Sequence, residues 1–573
     1  MKRLFTYFAV MFAASALMVS CSDSKEKEEN TDSTASAVEQ VAEGAKAPGL
    51  KGLLTAHSSR VLGQANCVEV SGYESAISDK AMAVIRTNFG QLLSKSGKKG
   101  ELMQALRAQM ELMQVPSSLA GVATDLRNTG IDVDAPVYVF VQELGGGVVY
   151  TGIVGKVYDK AKLDALVEFL GMEPEQKQGC TIIPDDFNEG QAYAYNNVAF
   201  MLGSIESLLG EYEAASQYKV KDFIVSSLNA TTSSESVYRA LPEYKHGDLA
   251  LVINGDALVD YYKLTELLMS CEDESYLEVL KALDVMCGST VHGALTFANG
   301  YVEMEAKVDN LQGDYSKMLL PCSNENLKYV SADAVLVANG AVNGEQYFKY
   351  IDNTLNGQPE VKKMLDEALK KAFDEFWSLD LVMGMAEPLV GSINGDMLMA
   401  INHFSESKQE ACAVVSVKDN SIFNFVDVLC STTPELKKLD ENTYSAKIEG
   451  INAYFGQKDN LIYASTPGQL ELKANPATKA SWYSEVAGSY GYIVANLSSL
   501  LKDPTVKLYA STLVEELGVS SADASKIVNS LDYFLYELPT KESCRVRLSF
   551  KNKSKNALAQ IVDLIPMSES ELY

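Results

Sequence analysis

An α+β fold of two tandem related halves, each an antiparallel sheet packed with helices, is what this sequence predicts. Three observations predict it. Apolar β-type runs are separated by short Gly, Asn or Asp turns, as at Leu144-Gly145-Gly146-Gly147 and Asp459-Asn460, which is hairpin punctuation and favours antiparallel pairing. Residues 151–170 (TGIVGKVYDKAKLDALVEFL) can be laid over 411–430 (ACAVVSVKDNSIFNFVDVLC) at an offset of 260, with Val157 and Asp159 on Val417 and Asp419. Each copy reads as strand, polar turn and amphipathic helix. Leu163, Leu166 and Leu170 match Phe423, Val426 and Cys430 at spacings of 3 and 4, so Leu166 and Val426 are expected to face their cores. Further segments keep the same order. Asp134–Glu143 corresponds to Asp396–Glu406, 196–200 to 459–463, and Leu251–Asn254 to Ile493–Asn496, where the offset has narrowed to 242. Preserved order over several segments is the mark of an old duplication.

Taken in chain order, residues 1–20 read as a signal peptide. Lys2 and Arg3 form a basic start, and Leu4 to Val19 carry no charge, long enough for a signal core. Met18-Val19-Ser20-Cys21 resembles a lipobox. That resemblance implies an acylated Cys21 as the first mature residue and attachment to a membrane through lipid. Residues 21–56 read as a flexible acidic tether, since 22–34 (SDSKEKEENTDST) contain no apolar residue to bury. The Ser, Lys and acid content after the cysteine resembles the export tags of surface-exposed outer-membrane lipoproteins in Bacteroidota. A solvated periplasmic linker is the other reading. Asp32-Ser33-Thr34 matches the O-glycosylation pattern of that group, with Ser33 as acceptor.

The first half then spans 57–310 and the second 327–573. Between them an irregular linker, 311–326, carries Gly313 and Pro321. Early helices are expected over 101–114 and 361–376. The best later candidate for a membrane span, Leu379 to Ile393, is broken by Asp380, Glu387 and Pro388. Apolar runs ending in Asn254, Asn339, Asn402 and Asn496 are read as strand ends, three of them (254, 339 and 496) hinging toward helices, because Asn tolerates left-handed backbone and caps free amides.

Composition narrows the partners. The 573 residues hold 49 basic and 76 acidic side chains, a net charge of −27. A phosphate backbone would be repelled, so nucleic acid is excluded as a partner. Nine cysteines are present. The eight beyond Cys21 permit 105 pairings. Cys412 and Cys430 are the nominated disulfide: a strand leaving for roughly 20 Å and a helix returning roughly 17 Å bring their ends together. Free buried thiols are the alternative, and the lack of a C-x-x-C pair argues against redox catalysis.

No catalytic residue, metal or cofactor is nominated. His57, His246, His292 and His403 form no close pair, so no local zinc motif exists, and solvated or capping roles are expected of them. No G-x-S-x-G elbow occurs, and Ser405-Glu406-Ser407-Lys408 reads as a turn after a strand. No calcium loop of Asp-x-Asp-x-Asp-Gly form is present.

Tyr329-Val330-Ser331-Ala332-Asp333-Ala334-Val335-Leu336-Val337 carries a family likeness, together with Pro136-Val137-Tyr138-Val139-Phe140, Asn394-Gly395-Asp396 and the segment 551–561 (KNKSKNALAQI). Over about 57–565 the chain resembles the lipoprotein family called domain of unknown function 4836. The resemblance implies a gut Bacteroidota lipoprotein, and supplies no activity or site residue. The expected function is therefore that of an exported, lipid-anchored outer-membrane lipoprotein, a non-enzymatic binding or scaffold module with an envelope protein as partner. The alternatives are a hydrolase with dispersed carboxylates and a carrier of an apolar ligand.

Overall fold

In chain order the first half contributes β1 (Ala83–Thr87), β2 (Val137–Gly145), β3 (Val148–Lys156), β4 (Glu175–Lys177), β5 (Cys180–Pro184), β6 (Gln191–Tyr195), β7 (Ala199–Ser207), β8 (Leu249–Asn254), β9 (Thr290–Ala298) and β10 (Tyr301–Asp309). The second contributes β11 (Leu336–Asn343), β12 (Ile393–Phe404), β13 (Gln409–Val417), β14 (Lys437–Asp440), β15 (Thr443–Ile448), β16 (Ile451–Lys458), β17 (Leu461–Ser465), β18 (Gly491–Ala495), β19 (Leu531–Thr540) and β20 (Ser543–Phe550). The computed structural model describes residues 67–69, 72–78, 81–112, 121–122, 124–145, 148–184, 190–207, 219–234, 247–254, 289–309, 317–357, 359–372, 378–405, 408–431, 436–448, 451–515 and 520–564. Cys21, Ser33, the signal peptide and the tether lie outside them.

Every pairing is antiparallel. From one edge the strands run β4-β5-β6-β7-β3-β2-β1-β8-β9-β10. From the other edge they run β14-β15-β16-β17-β13-β12-β11-β18-β19-β20. The two series meet where β10 pairs with β20. Among the described residues one sheet of 21 strands results, the last member being Leu319–Leu320 beside β11. A short ribbon of Cys67–Glu69 with Thr232–Ser234 stands apart.

The register is as regular as the order. Val154 opposes Tyr138, Tyr138 opposes Arg86, Arg86 opposes Ala250, Ala250 opposes Ala294, and Ala294 opposes Glu305. From the far side, Val414 opposes Leu398, then Asn339, Tyr492, Glu537 and Arg545 follow in turn. Glu305 and Arg545, the last members of the two chains of contacts, oppose each other. A local twofold therefore passes between them. Val154 and Val414 stand 260 residues apart and Ala250 and Tyr492 stand 242 apart, the offsets read from the sequence. The segment 196–200 is the exception: Val157 bonds the Val198 carbonyl and Val417 the Asn460 carbonyl, so the match there is displaced by one residue.

Alternation along each strand creates two faces. One carries two cores. Phe140, Tyr150, Ile182, Met201 and Ile224 centre the first, and Leu327, Val414, Trp482, Tyr492 and Leu535 the second. Helix α4 (Val220–Leu228) seals the first core; a Cβ on Gly203 would lie 2.7 Å from Ile224 Cγ1, so only glycine admits this approach. The opposite face is covered at its flanks. Over β5, β6 and β7, α3 (Lys160–Phe169) packs Leu163 and Val167 with Tyr195 and Phe200. Its counterpart α8 (Ser421–Ser431) packs Phe423 with Phe455 and Ile462. Asp159 caps α3 by accepting from the Ala161 and Lys162 N–H groups, and Asp419 accepts from Ser421 N–H. Leu166 is half-buried in the α3 cluster, whereas the Val426 side chain lies outside the described residues.

The expected early helices are α2 (Lys99–Leu112), which follows α1 (Phe89–Ser96), and α6 (Pro359–Ala372), which lies between α5 (Gly344–Gly357) and α7 (Leu379–Ser392). Ile351, Leu355 and Leu379 pack α5 to α7 into a cluster of their own. Helices α9 (Leu497–Leu500), α10 (Pro504–Glu515), α11 (Ser521–Ser530) and α12 (Ala557–Leu564) complete the set among the described residues. Among the described residues no helix is long and apolar enough to cross a membrane.

Three expectations need correction. Asn496 does cap a helix, accepting from Ser499 N–H, but Asn339 sits inside β11 with a buried side chain, and Asn343 is the residue that caps α5. Asn402 is buried too, tying Ser331 and Gln469 to β12. The part of the expected linker that is described, 317–326, is docked on the second half, with Cys322 in its core.

Candidate functional site

The seam between the halves is set up by alternation. In β10, Glu303, Glu305, Lys307 and Asp309 share the core side, and β20 answers with Arg545 and Arg547. Arg547 Nε lies 2.6 Å from Glu303 Oε2, and the other guanidinium nitrogens reach Glu303 and Glu485. Its Cζ lies 4.1 Å from the centre of the Tyr301 ring. Arg545 Nε bonds Glu537 at 2.9 Å, and the same guanidinium donates to the Glu485 carbonyl at 3.1 Å. Ser489 donates to Glu537 at 2.7 Å and Tyr533 to Glu485 at 2.6 Å. Glu537 is 3% exposed and Glu303 9%. Carboxylates held by guanidinium forks are fixed acceptors with their lone pairs already engaged.

At the first half's side of the seam His292, expected to be solvated, is buried inside β9 with Nε2 at 2.8 Å from Asp309 Oδ2. Register explains this, since Val252 opposes His292 on the core side. His403 lies exposed near the end of β12, and His57 and His246 lie outside the described residues. A second polar cluster surrounds Asp396. Its carboxylate accepts from Ser323 N–H (2.8 Å), Ser323 Oγ (2.9 Å) and Asn324 N–H (2.9 Å), while Tyr492 donates to Asn324 Oδ1 at 2.7 Å.

Cys412, nominated for a disulfide, is a free buried thiol. It shares the core face with Val414, whereas α8, which carries Cys430, packs on the other face through Phe423. The Cys430 side chain itself lies outside the described residues. Burial and, next, Asp396 push the Cys322 thiol up to about 12, and burial raises Cys412 to about 11. Both are therefore neutral near pH 8, so native protein should react with iodoacetamide at these positions at least tenfold more slowly than urea-unfolded protein. The sign also sets an alkaline limit. The stabilisation from keeping these thiols neutral is complete below their ordinary value of 9 and is lost as pH rises toward 11 and 12. Equal alkylation rates, read by peptide mass spectrometry, would show that the thiols are not buried.

A cleft of about 320 Å³ opens beside Trp482, lined by Asp333, Lys479, Lys502 and Asp532 among others. Its polar lining is the reverse of what a carrier of apolar ligands needs. Ser405 and Lys408 close the β12–β13 turn, with Lys408 N–H bonding Ser405 Oγ at 3.1 Å, so this pair is a turn and not a nucleophile with its base.

The unusual surface is the open middle of the second sheet face, between α3 and α8. One cross-strand row there reads Leu249, Leu295, Met304, Val546 and Tyr536, then Ile493, Ala338 and Met399. A neighbouring row reads Phe297, Val302, Leu548 and Phe534, then Ala495, Leu336 and Ile401. No charge interrupts either row. Met399 is 48% exposed, Met304 47% and Ile493 42%. Monomeric proteins rarely leave more than roughly 300–600 Å² of continuous apolar surface in water. Sequence reasoning missed this face and the seam. The signal was the strict alternation in YVEMEAKVD and SCRVRLSF, which shows a charged side and an apolar side and does not say which side meets a core.

Residues 73–558 match the model of a family described as domain of unknown function (DUF4836). No curated protein matches the chain. Among solved structures it is similar to crystal form III of TP0453, at 10% identity and a TM-score of 0.20, over 43% of this chain and 83% of that one. Crystal form IV of TP0453 gives 10% and 0.20 over 44% and 85%.

Proposed function

As a member of the family described as domain of unknown function (DUF4836), whose description names no activity, the chain must be read from its own surfaces, and we propose that it is a non-enzymatic binding or scaffold module. The uncharged, half-exposed sheet face carries this reading, because a surface of that extent is stable in water only when something covers it. The carboxylates that a dispersed hydrolase would use at the seam are held by Arg545 and Arg547, which counts against the enzymatic alternative. The module is built by duplication; matching strand order and matching register from both edges support this.

The lipobox-like segment extends the proposal to location: an outer-membrane lipoprotein held by acyl chains on Cys21 and facing an envelope partner. Cys21→Ala should abolish incorporation of a fatty-acid probe and move the protein from the detergent phase to the aqueous phase. Equal labelling of both forms overturns the lipid anchor. For the binding role, wild-type chain isolated from chemically cross-linked envelopes should carry a discrete adduct. Met304→Glu and Met399→Glu should lose it with folding intact by circular dichroism. An adduct that persists in both variants overturns the assignment to this face.

A further inference from the structure

We propose that the open apolar face is a homodimer interface, covered by a second copy of this chain laid sheet against sheet. The inference rests on the binding reading above and names the occupant.

Size is the first argument. The open stretch runs from β1, where Ile85 is exposed, through β8, β9, β10, β20, β19, β18 and β11 to β12, where Met399 is exposed. Nine strands at about 4.8 Å spacing make a floor roughly 38 Å wide. A docked helix, about 10 Å across, would cover two of them. A standard stable interface needs roughly 800 Å² per partner, and a floor of this width crossed by strands about 30 Å long has room for it.

Shape and charge supply the second argument. The occupant must be wide and uncharged, and the same face of another copy has both properties. Helices α3 and α8 stand as ridges at the two ends of the floor. A flat bilayer would be held off by them. A second sheet avoids the ridges by crossing near a right angle. The central strands are nine or so residues long, as in β9 and β10, which is roughly 30 Å and fits within the 38 Å floor. Orthogonal packing is one of the two standard ways in which sheets stack. The local twofold between Glu305 and Arg545 makes the floor alike when turned by half a turn, so each copy presents matching halves to the other.

The test uses the full chain in its own cells, with two differently tagged copies co-expressed. A photo-activated benzoylphenylalanine replaces Met304, Met399 or, as a control beside the 3₁₀ turn at Glu325–Tyr329, Leu472. After irradiation, positions 304 and 399 should give a product of twice the chain mass that contains both tags, and 472 should not. Ile493→Glu added to both tagged copies should reduce that product at least tenfold while the melting temperature moves by only a few degrees. Cross-linking at 304 and 399 to a different protein or to lipid overturns the homodimer and leaves the binding surface standing. No adduct at either position overturns both readings.

Discussion

Arg547→Met should lower the free energy of unfolding by about 3 kcal/mol, because it leaves the buried Glu303 carboxylate with only the more distant Arg545, 4.0 Å away, as a cation. Arg547 holds Glu303 from the first half and Glu485 from the second, and its guanidinium also stacks on Tyr301. Glu303 is nearly buried. Glu485 is partly open to water, so most of the loss comes from Glu303. An exposed ion pair would contribute about 0–1 kcal/mol, so the size of the effect measures burial at the seam. Glu303→Gln added to Arg547→Met should recover a large part of the loss, since a neutral amide is easier to bury than an unpaired carboxylate. Urea unfolding of the full chain, followed by circular dichroism, is the measurement. A loss below about 1 kcal/mol would mean that water reaches the seam and that the halves are joined by backbone pairing alone.

Local strand–cap–helix units were readable in the sequence because their signals are local. Strand, Asp cap and amphipathic helix recur at 151–170 and 411–430, and the structure places β3 and α3 in the same relation as β13 and α8. The seam was not readable, because Glu303 and Arg547 lie 244 residues apart and no spacing rule links them. The same holds for Asp396, which is separated from Ser323 by 73 positions. Asn339 shows why the hinge reading failed. An Asn after an apolar run looks like a strand end, yet here it continues the strand and turns its side chain into a buried polar cluster. Cys412 went astray for a related reason: end-to-end distances along a strand and a helix say how far the chain travels, and not on which face of the sheet each side chain lies.

Asp396→Ala should cost about 3–5 kcal/mol and should loosen the segment that leads into the second half. Four donors converge on this carboxylate: the Ser323 and Asn324 amides, the Ser323 hydroxyl and, at 3.5 Å, the Asn339 side-chain amide. Each donor left buried without an acceptor is penalised by about 1–3 kcal/mol, and partial access of water to Ser323 keeps the sum below the maximum. Asn324 has a left-handed backbone, φ 60°, so the turn depends on outside support to hold that conformation. The first half offers a comparison. By register the partner of Asp396 is Pro136, whose carbonyl accepts from Tyr73 Oη at 2.9 Å, and Tyr73 opens the 3₁₀ turn before β1 as Glu325 opens the one before β11. Both halves thus pin the turn that precedes their first central strand to the next strand over, one by a backbone carbonyl and the other by a buried carboxylate. Hydrogen exchange should accordingly accelerate across 317–330 in Asp396→Ala while residues 72–78 keep their protection. Uniform acceleration in both segments would show that the two turns are not independently held, and an unchanged 317–330 would show that the carboxylate does not hold the turn.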